Sequence, residues 1–263
     1  MNIIGQDKII NFIDKRNIDT LPRTLMLEGK EGSGRHSICN YISNKYNIYT
    51  QDITSLLSFD LLEDIYGRVE PYLYIIDADS ITLKQENVIL KFLEEPLKNS
   101  FIVVLTQNRY NIIETVRNRC FLISLKPYSR DILSSFIKNK ENENILLTIC
   151  ETPGDLIKME SYAIKDMLDL CIKILENINK ASIPNSLSLV KYLSFKDEKD
   201  KYDFNIFMKA LRYIAKKRVE YDEENCFNQY LIINEYINRS KVKNVDKKYL
   251  FEDFLLSLKG VNN

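Results

Sequence analysis

The sequence predicts an α/β fold in which a three-layer domain with a parallel sheet comes first and helical segments follow. Up to about Leu125, short apolar runs alternate with amphipathic stretches, and from Pro127 onward the strand signal disappears. Strands that alternate with helices pair in parallel through right-handed crossovers, which puts helices on both faces of the sheet. Because ligands of such sheets bind at the carboxyl ends of the strands, we expect functional residues there.

Five apolar runs are predicted as buried strands, in chain order TLMLE, NIYT, LYIID, FIVVLT and CFLISL. Helical spacing is found in QDKIINFIDK, RHSICNYISNKY and TLKQENVILKFLEEP, and Pro96 is predicted to stop the last of these helices. After Pro127 the pattern predicts a small helical domain that ends near Tyr162. A third block, from about Ala163 to Asn263, contains amphipathic helices without an internal repeat.

Composition argues against several classes of protein. The 263 residues include 37 basic and 37 acidic side chains, so only local patches can contact nucleic acid. One such patch is the basic run KALRYIAKKR, for which a solvated helix face is the alternative. The five cysteines are scattered and form no CxxC pair, which disfavours disulfides and a zinc site. Without an apolar run of about 18 residues or a signal-peptide pattern, we expect a cytoplasmic protein with no membrane contact.

The segment GKEGSGRHS, directly after the first predicted strand, has the glycine spacing of a phosphate-binding loop. Gly29 and Gly34 stand at the required separation, with Gly32 between them, and such glycines let backbone N–H groups converge on anionic oxygens. The pattern then requires Lys and Ser or Thr, but the sequence has Arg35 and His36. Arginine has a larger, planar charged group, and imidazole is a poor ligand for magnesium. We therefore expect a loop that keeps its shape without its full chemistry.

The third predicted strand ends in Asp77, at a point where nucleotide hydrolases of this architecture have Asp-Glu. In those enzymes the aspartate holds the water shell of the metal and the glutamate polarises the attacking water. Ala78 stands in the place of the glutamate. Asp79 is one residue too far along to reach the same position, so no general base is predicted.

The order and spacing of these segments resemble the clamp-loader branch of the AAA+ proteins. The resemblance extends over IIGQDKIINFI, the glycine loop, IIDADSITLKQENVILKFLEEP, VVLTQN and ETVRNRC, or roughly the first 160 residues. Its most specific part is LKFLEEP with Asn87 before it, because members of this family carry an NALLKTLEEP-like helix. Against that pattern, the interval from Asp77 to LKFLEEP is one residue short, as though the catalytic glutamate had been deleted.

The resemblance assigns roles to individual residues. It aligns Thr106 with the sensor threonine of the family and Arg119 with the arginine of its SRC motif, in which Asn118 replaces the serine. In the family this arginine is inserted in trans into the ATP site of a neighbouring subunit, where it stabilises charge on the γ-phosphate. The alternative for Arg119 is an ion pair with an acid of its own domain. Ile157 occupies the place of the arginine in the second sensor.

As a whole, the resemblance implies a AAA+ α/β domain (1–125), a helical lid (126–162) and a helical collar for oligomerisation (163–263). It implies a non-hydrolysing stator in the complex that opens a sliding clamp and places it on primed DNA, with other clamp-loader subunits as partners. No cofactor is required, although residual ATP or ADP binding stays open, and no metal is expected because a four-cysteine zinc module of many relatives is missing. The alternatives are an ATP-hydrolysing, gamma-like motor subunit and another AAA+-derived replication accessory protein.

Overall fold

The structure is a computed structural model that describes residues 3–95, 100–195, 201–221 and 226–260. The chain divides into two compact units, Met1–Ile132 and Leu133–Asn263. The predicted division into three domains, with boundaries at residues 125 and 162, stays a prediction.

A five-stranded parallel sheet forms the centre of the N-terminal unit, with the strand order β2-β3-β4-β1-β5. All five strands overlap the predicted runs, but the expectation of a buried strand is wrong for β2. This strand shares only Tyr49 and Thr50 with NIYT and has no buried residue, because it lies at the edge of the sheet. The central strand β4 is buried at all six of its positions, as expected for a sheet that is covered on both faces. The strands are β1 (Thr24–Glu28), β2 (Tyr49–Asp52), β3 (Tyr72–Asp77), β4 (Phe101–Thr106) and β5 (Phe121–Ser124).

Helices connect the strands of this unit. The three predicted helices are present, together with α3 and α5, which the sequence did not resolve as separate elements. A capping box between Thr82 and Gln85 starts α4, which ends at Glu94, whereas Pro96, the predicted helix stop, lies outside the described residues. The helices are α1 (Asp7–Asp14), α2 (Arg35–Tyr46), α3 (Phe59–Tyr66), α4 (Leu83–Glu94) and α5 (Glu114–Arg117).

Each face of the sheet has its own apolar core, and alternation along β1 divides the strand between them. Leu25 and Leu27 pack on the face covered by α1 and α2, where Ile38 is buried. Met26 packs on the opposite face, covered by α3 and α4, where Phe92 is buried. Successive side chains of a strand point to opposite faces, so this arrangement produces the predicted three-layer α/β domain.

The C-terminal unit is mainly helical. Helix α11 packs against α9 and α12, and α12 packs against α13. The elements that follow the sheet are α6 (Arg130–Phe136), α7 (Glu143–Ile149), α8 (Pro153–Glu160), α9 (Ile164–Asn177), α10 (Ile183–Leu187), α11 (Phe204–Glu220), α12 (Cys226–Arg239) and α13 (Lys247–Leu258).

Two short strands in this unit correct the expectation that the strand signal ends at Pro127. Strands β6 (Leu193–Ser194) and β7 (Tyr202–Asp203) pair in parallel before α11. Each has only two residues, which is too short to produce a periodic pattern in the sequence.

The basic run on α11 is paired with acids of the same unit. Lys209 Nζ lies 2.6 Å from the buried carboxylate of Asp155, and Arg212 Nη2 lies 3.3 Å from Glu151 Oε1. Near the end of the helix, Lys217 Nζ lies 2.9 Å from Glu220 Oε2. These pairs neutralise much of the local positive charge on which the suggestion of a DNA contact depended.

All five cysteines are free thiols, and four of them are buried, with Cys120 partly exposed. Burial raises the pKa of the Cys39 thiol to about 12, so this group stays protonated at neutral pH. Across the described segments, no helix combines the length and the apolar character needed to cross a bilayer.

The carboxylate of Asp203 contributes to the stability of the C-terminal unit, and this contribution can be tested. The carboxylate caps α11 by accepting a hydrogen bond from Ile206 N at 3.0 Å, and it accepts another from Lys158 Nζ at 2.8 Å. Burial acts to raise the pKa of Asp203, but the hydrogen bond and charge of Lys158 outweigh it, and the pKa lies below its ordinary value of 3.8. The stabilisation is therefore fully present above pH 3.8 and is lost as the pH falls through the lower folded-state pKa.

We expect Asp203→Asn to lower the free energy of unfolding by about 1–2 kcal/mol at pH 7, because it breaks the pair with Lys158. Denaturant unfolding at several pH values measures the difference, which should shrink on acidification below pH 3.8. Asp246→Asn is the matched control, since Asp246 caps α13 through Lys248 N and Tyr249 N and no described cation pairs with it. A difference for Asp203→Asn that grew on acidification would contradict this account.

Candidate functional site

The glycine loop joins β1 to α2, and two of its glycines have left-handed backbone. Gly32 and Gly34 have φ angles of 73° and 94°, in the left-handed region that favours glycine, and Gly34 is the N-cap of α2. A Cβ atom on Gly29 would lie 2.7 Å from Ser33 Oγ and 3.0 Å from Leu125 Cβ. The loop is thus held in a conformation that larger residues at these positions would disturb.

Arg35 and Thr106 contact the same carboxylate, that of Asp79. The Arg35 side chain is buried, and its Nη1 lies 3.3 Å from Asp79 Oδ2. Thr106 Oγ1 donates to Asp79 Oδ1 at 2.8 Å, and the backbone N–H of Gln107 donates to Asp79 Oδ2 at 2.7 Å. Sequence reasoning considered Asp79 only as a misplaced base and missed this arrangement, which we call the Asp79 network (Arg35, Asp79, Thr106 and Gln107 N–H).

Asp77 holds the turn that presents Asp79. Its Oδ1 accepts a hydrogen bond from Asp79 N at 3.1 Å, and its Oδ2 accepts one from Ser80 Oγ at 3.2 Å. Ala78 between them is buried, and its N–H donates to Leu105 O at 2.9 Å. The position after Asp77 therefore offers no carboxylate for a general base.

Glu28, which the sequence did not single out, joins the ends of three strands. It is the last residue of β1, and its Oε1 accepts from Arg109 N, just after β4, at 3.0 Å. Its Oε2 accepts from Ser124 Oγ, the last residue of β5, at 2.8 Å. These contacts fix the carboxyl edge of the sheet, from which the glycine loop begins.

A magnesium nucleotide does not fit this set of side chains. A phosphate-binding loop supplies a free cation for the terminal phosphates and, next to it, a hydroxyl for the metal. Here the cation, Arg35, is already paired with Asp79, and the next residue is His36, whose side chain is exposed. Among the described residues, no group of three or more His, Cys, Asp or Glu side chains is arranged to hold a metal ion.

Arg119 lies at the opposite edge of the sheet from the glycine loop. Its carbonyl accepts a hydrogen bond from Thr24 Oγ1, at the start of β1, at 2.6 Å, whereas the loop follows Glu28 at the end of that strand. A strand rises about 3.3 Å per residue, so these two ends are about 13 Å apart. The structure therefore brings Arg35, Asp77 and Thr106 together at one edge and leaves Arg119 at the other.

The guanidinium of Arg119 is held on the surface of its own unit. Nη1 donates to Thr115 O at 2.7 Å, and Nη2 forms an ion pair with Glu94 at the end of α4. The two side chains of the pair are 34% and 50% exposed. In this chain by itself, Arg119 thus has the intradomain ion pair that the sequence left open as an alternative.

Two further features lie on the connection from β4 to β5, and sequence reasoning missed both. The guanidinium carbons of Arg109 and Arg117 lie 5.1 and 5.5 Å from the ring centre of Tyr110, whose side chain is 70% exposed. At the start of α5, Ile113 N donates to the buried carboxylate of Glu86 at 2.8 Å. The arginines around Tyr110 could have been noticed in the sequence, because residues 109–119 contain three arginines. No sequence pattern indicated the role of Glu86.

In the C-terminal unit, Ile157 lies on α8 and its side chain is 67% exposed. If the alignment with the second sensor is right, an apolar side chain here supplies no positive charge. Its exposure leaves it without a packing role in that unit.

The fold, a parallel α/β sheet followed by helices, is similar to that of several solved structures. A DNA polymerase III gamma subunit-related protein of Thermotoga maritima is 15% identical, with a TM-score of 0.54 over 97% of this chain and 99% of that one. The Thermotoga maritima RuvB Holliday junction branch migration motor is 16% identical, with a TM-score of 0.50 over 82% of this chain and 76% of that one. At these identities the likeness concerns the fold.

Residues 43–129 match the family model described as DNA polymerase III, delta subunit. The delta' subunit of DNA polymerase III from Bacillus subtilis is 39% identical over 56 residues, which are 21% of this chain and 17% of that protein. The chain thus matches the curated relative over only about one sixth of its length. These findings confirm the resemblance to the delta' subunit that the motifs indicated.

The left-handed conformation of Gly34 can be tested by substitution. We expect Gly34→Ala to lower the free energy of unfolding by about 1–2 kcal/mol, because a Cβ is strained at this φ angle of 94°. Gly67→Ala is the matched control: Gly67 has φ −78°, and an added Cβ would meet no atom closer than 3.5 Å. Chemical denaturation of both variants measures the effect, and equal values for the two would refute the assigned loop conformation.

Proposed function

We propose that this protein is a non-hydrolysing subunit of a DNA polymerase clamp loader in the cytoplasm. It acts as a stator in a hetero-oligomer with other clamp-loader subunits, and it donates Arg119 in trans to the ATP site of a neighbouring ATPase subunit. Through the complex, it takes part in opening the sliding clamp and placing it on primed DNA. It has no ATPase activity of its own and requires no cofactor. The loop that contains Gly29, Gly32, Gly34, Arg35 and His36 is a degenerate phosphate loop.

The observation that carries this proposal is the position of Arg119 relative to the glycine loop. The two lie at opposite edges of one parallel sheet, with the five residues of β1 between them. A guanidinium at the amino edge cannot reach a phosphate held at the carboxyl edge of the same sheet, about 13 Å away along the strand. If Arg119 acts on a nucleotide, that nucleotide must belong to another subunit.

The ion pair between Arg119 and Glu94 does not prevent Arg119 from reaching the ATP site of a neighbouring subunit. Both side chains are at least one-third exposed, and an ion pair of this kind contributes about 0–1 kcal/mol in water. An arginine finger in a phosphoryl-transfer site contributes about 10³- to 10⁵-fold in rate, so the cost of releasing Glu94 is small by comparison. Glu94 thus serves to hold the guanidinium in place until a neighbour docks.

The absence of hydrolysis is supported by the residues at the carboxyl edge. Hydrolysis needs a carboxylate to orient the attacking water, a free cation for the γ-phosphate and a metal ligand. Ala78 cannot act as a base, and both the Asp79 carboxylate and the Arg35 guanidinium are engaged with each other. His36, directly after Arg35, offers no hydroxyl to a metal ion. The base, the free cation and the metal-binding hydroxyl are thus all missing from this site.

The test is ATP turnover by the complex reconstituted with the ATPase subunits of the same clamp loader. We expect Arg119→Ala to lower the turnover of the neighbouring site by about 10³-fold or more, while assembly, measured by gel filtration, is retained. Arg119→Lys should restore only a small part of the rate, because an ammonium lacks the planar fork of arginine.

Glu94→Gln is the matched control, because it removes the partner of Arg119 and leaves the guanidinium intact. We expect turnover equal to or above that of the wild type. Unchanged turnover in Arg119→Ala would refute the role of this residue. Steady phosphate release by the isolated wild-type chain would favour the ATP-hydrolysing motor subunit, and failure to assemble with any clamp-loader subunit would favour another replication accessory protein.

A further inference from the structure

The short helix α5, which precedes Arg119, is tied to α4 through a buried carboxylate. Glu86 on α4 is only 2% exposed, and its Oε2 accepts a hydrogen bond from the backbone N–H of Ile113 at 2.8 Å. Ile113 is the N-cap of α5. In a capping box, a Glu or Gln at the third position of the helix accepts the N–H of the N-cap residue, but that position here is Val116. Glu86 therefore supplies from α4 an acceptor that α5 itself lacks.

A helix as short as α5 depends on other elements for its position. It has four residues, Glu114–Arg117, and one of them, Val116, is buried. An isolated helix of fewer than about 12 residues is marginal in water, so contacts with the rest of the unit decide where α5 lies. The packing of one apolar side chain has no preferred direction, whereas a hydrogen bond requires both a distance and an angle. The contact with Glu86 thus fixes the start of the helix.

Arg119 takes its position from α5. Its backbone N–H donates to Val116 O at 3.2 Å, and its Nη1 donates to Thr115 O at 2.7 Å. Its carbonyl accepts from Thr24 Oγ1, which ties the end of the segment to β1. Because both the backbone and the guanidinium of Arg119 contact the same short helix, a displacement of α5 displaces the guanidinium with it.

Two carboxylates of α4 hold this segment in different ways. Glu94 pairs with the guanidinium of Arg119 and is half exposed, so this pair can exchange its partner. Glu86 is buried and binds backbone, and a buried polar group is costly to leave without a hydrogen bond. When Arg119 leaves Glu94, the contact of Glu86 with the start of α5 therefore remains in place.

We propose that Glu86 is a positioning residue for Arg119. It fixes the start of α5, so that the guanidinium enters the ATP site of the neighbouring subunit in one geometry. This inference rests on the role proposed for Arg119 and adds the residue that determines its placement. Placement is important because a displacement of about 1 Å costs on the order of 10²-fold in rate.

The test uses two substitutions in the complex reconstituted with the ATPase subunits of the same clamp loader. Glu86→Met removes both carboxylate oxygens and keeps an unbranched side chain, whereas Glu86→Gln keeps an oxygen that can accept the N–H of Ile113. We expect Glu86→Met to lower kcat of the neighbouring site by about tenfold or more, with KM for ATP unchanged. Glu86→Gln should retain most of the wild-type kcat.

A double-mutant cycle measures whether Glu86 acts through Arg119. In an Arg119→Ala background, Glu86→Met should lower kcat no further, because the guanidinium that it positions is already missing. Ser58→Ala is the matched control, since Ser58 Oγ accepts from Leu61 N at the start of α3 in the same unit. This control removes another side-chain acceptor at a helix start, and it should leave kcat at the wild-type value.

A second measurement uses the isolated chain and involves no nucleotide. Hydrogen exchange followed by mass spectrometry should be faster over residues 113–119 in Glu86→Met and equal to that of the wild type in Glu86→Gln. Ser58→Ala should change exchange only around α3. Unchanged exchange of residues 113–119 in a folded Glu86→Met variant would show that Glu86 does not hold α5, and it would overturn the proposal.

The turnover results separate failure of this inference from failure of the proposed function. Wild-type kcat in an assembled Glu86→Met complex, together with slow turnover in Arg119→Ala, overturns this inference alone. It is also overturned if Glu86→Met causes the same loss in the Arg119→Ala background, or if Glu86→Gln is as slow as Glu86→Met. Unchanged turnover in Arg119→Ala refutes the proposed function itself.

Assembly of each variant is checked by gel filtration. If Glu86→Met does not assemble, Glu86→Leu takes its place, and the same expectations apply to it. Failure of both variants to assemble would assign a purely structural role to Glu86 and would overturn the proposal.

Discussion

The ion pair between Arg35 and Asp79 is the interaction on which the carboxyl edge of this sheet depends. A guanidinium this deeply buried is tolerated only when a negative charge lies beside it, and the pair supplies that charge from within the chain. Through Thr106 and the N–H of Gln107, the same carboxylate also joins the turn after β3 to the end of β4. One side chain thereby holds together the start of α2, the turn after β3 and the end of β4.

The side chains of Arg35 and Arg119 differ in how firmly they are held. The Arg35 side chain is 9% exposed and the Arg119 side chain is 34% exposed, so one is embedded in the sheet edge and the other lies at the surface. A buried pair is costly to break, whereas an exposed pair exchanges its partner easily. The side chain at the carboxyl edge is therefore fixed, whereas the one at the amino edge can exchange its partner.

Within the C-terminal unit, an ion pair also connects two helices. Asp155 completes the capping box of α8 and accepts a hydrogen bond from Lys209 at 2.6 Å, so a helix start and a basic helix are joined through one buried carboxylate. Part of the positive charge of the basic run KALRYIAKKR is therefore neutralised by acidic residues of the same unit. A pattern of charges along one helix cannot reveal this, because the acids come from other helices.

The sequence by itself determined the three-layer architecture and the glycine loop, because both depend on local patterns. Buried strands require continuous apolar runs, and left-handed backbone requires glycine, so TLMLE followed by GKEGSG was sufficient. Only the tertiary structure decided the partners of the charged residues. Asp79 is 44 residues from Arg35 and 27 from Thr106, and parallel strand pairing alone brings them within hydrogen-bond distance. The pairing of Arg119 with Glu94 likewise depends on where α4 ends beside α5. An ion pair is determined by distance in space, so it produces no periodic pattern in the sequence.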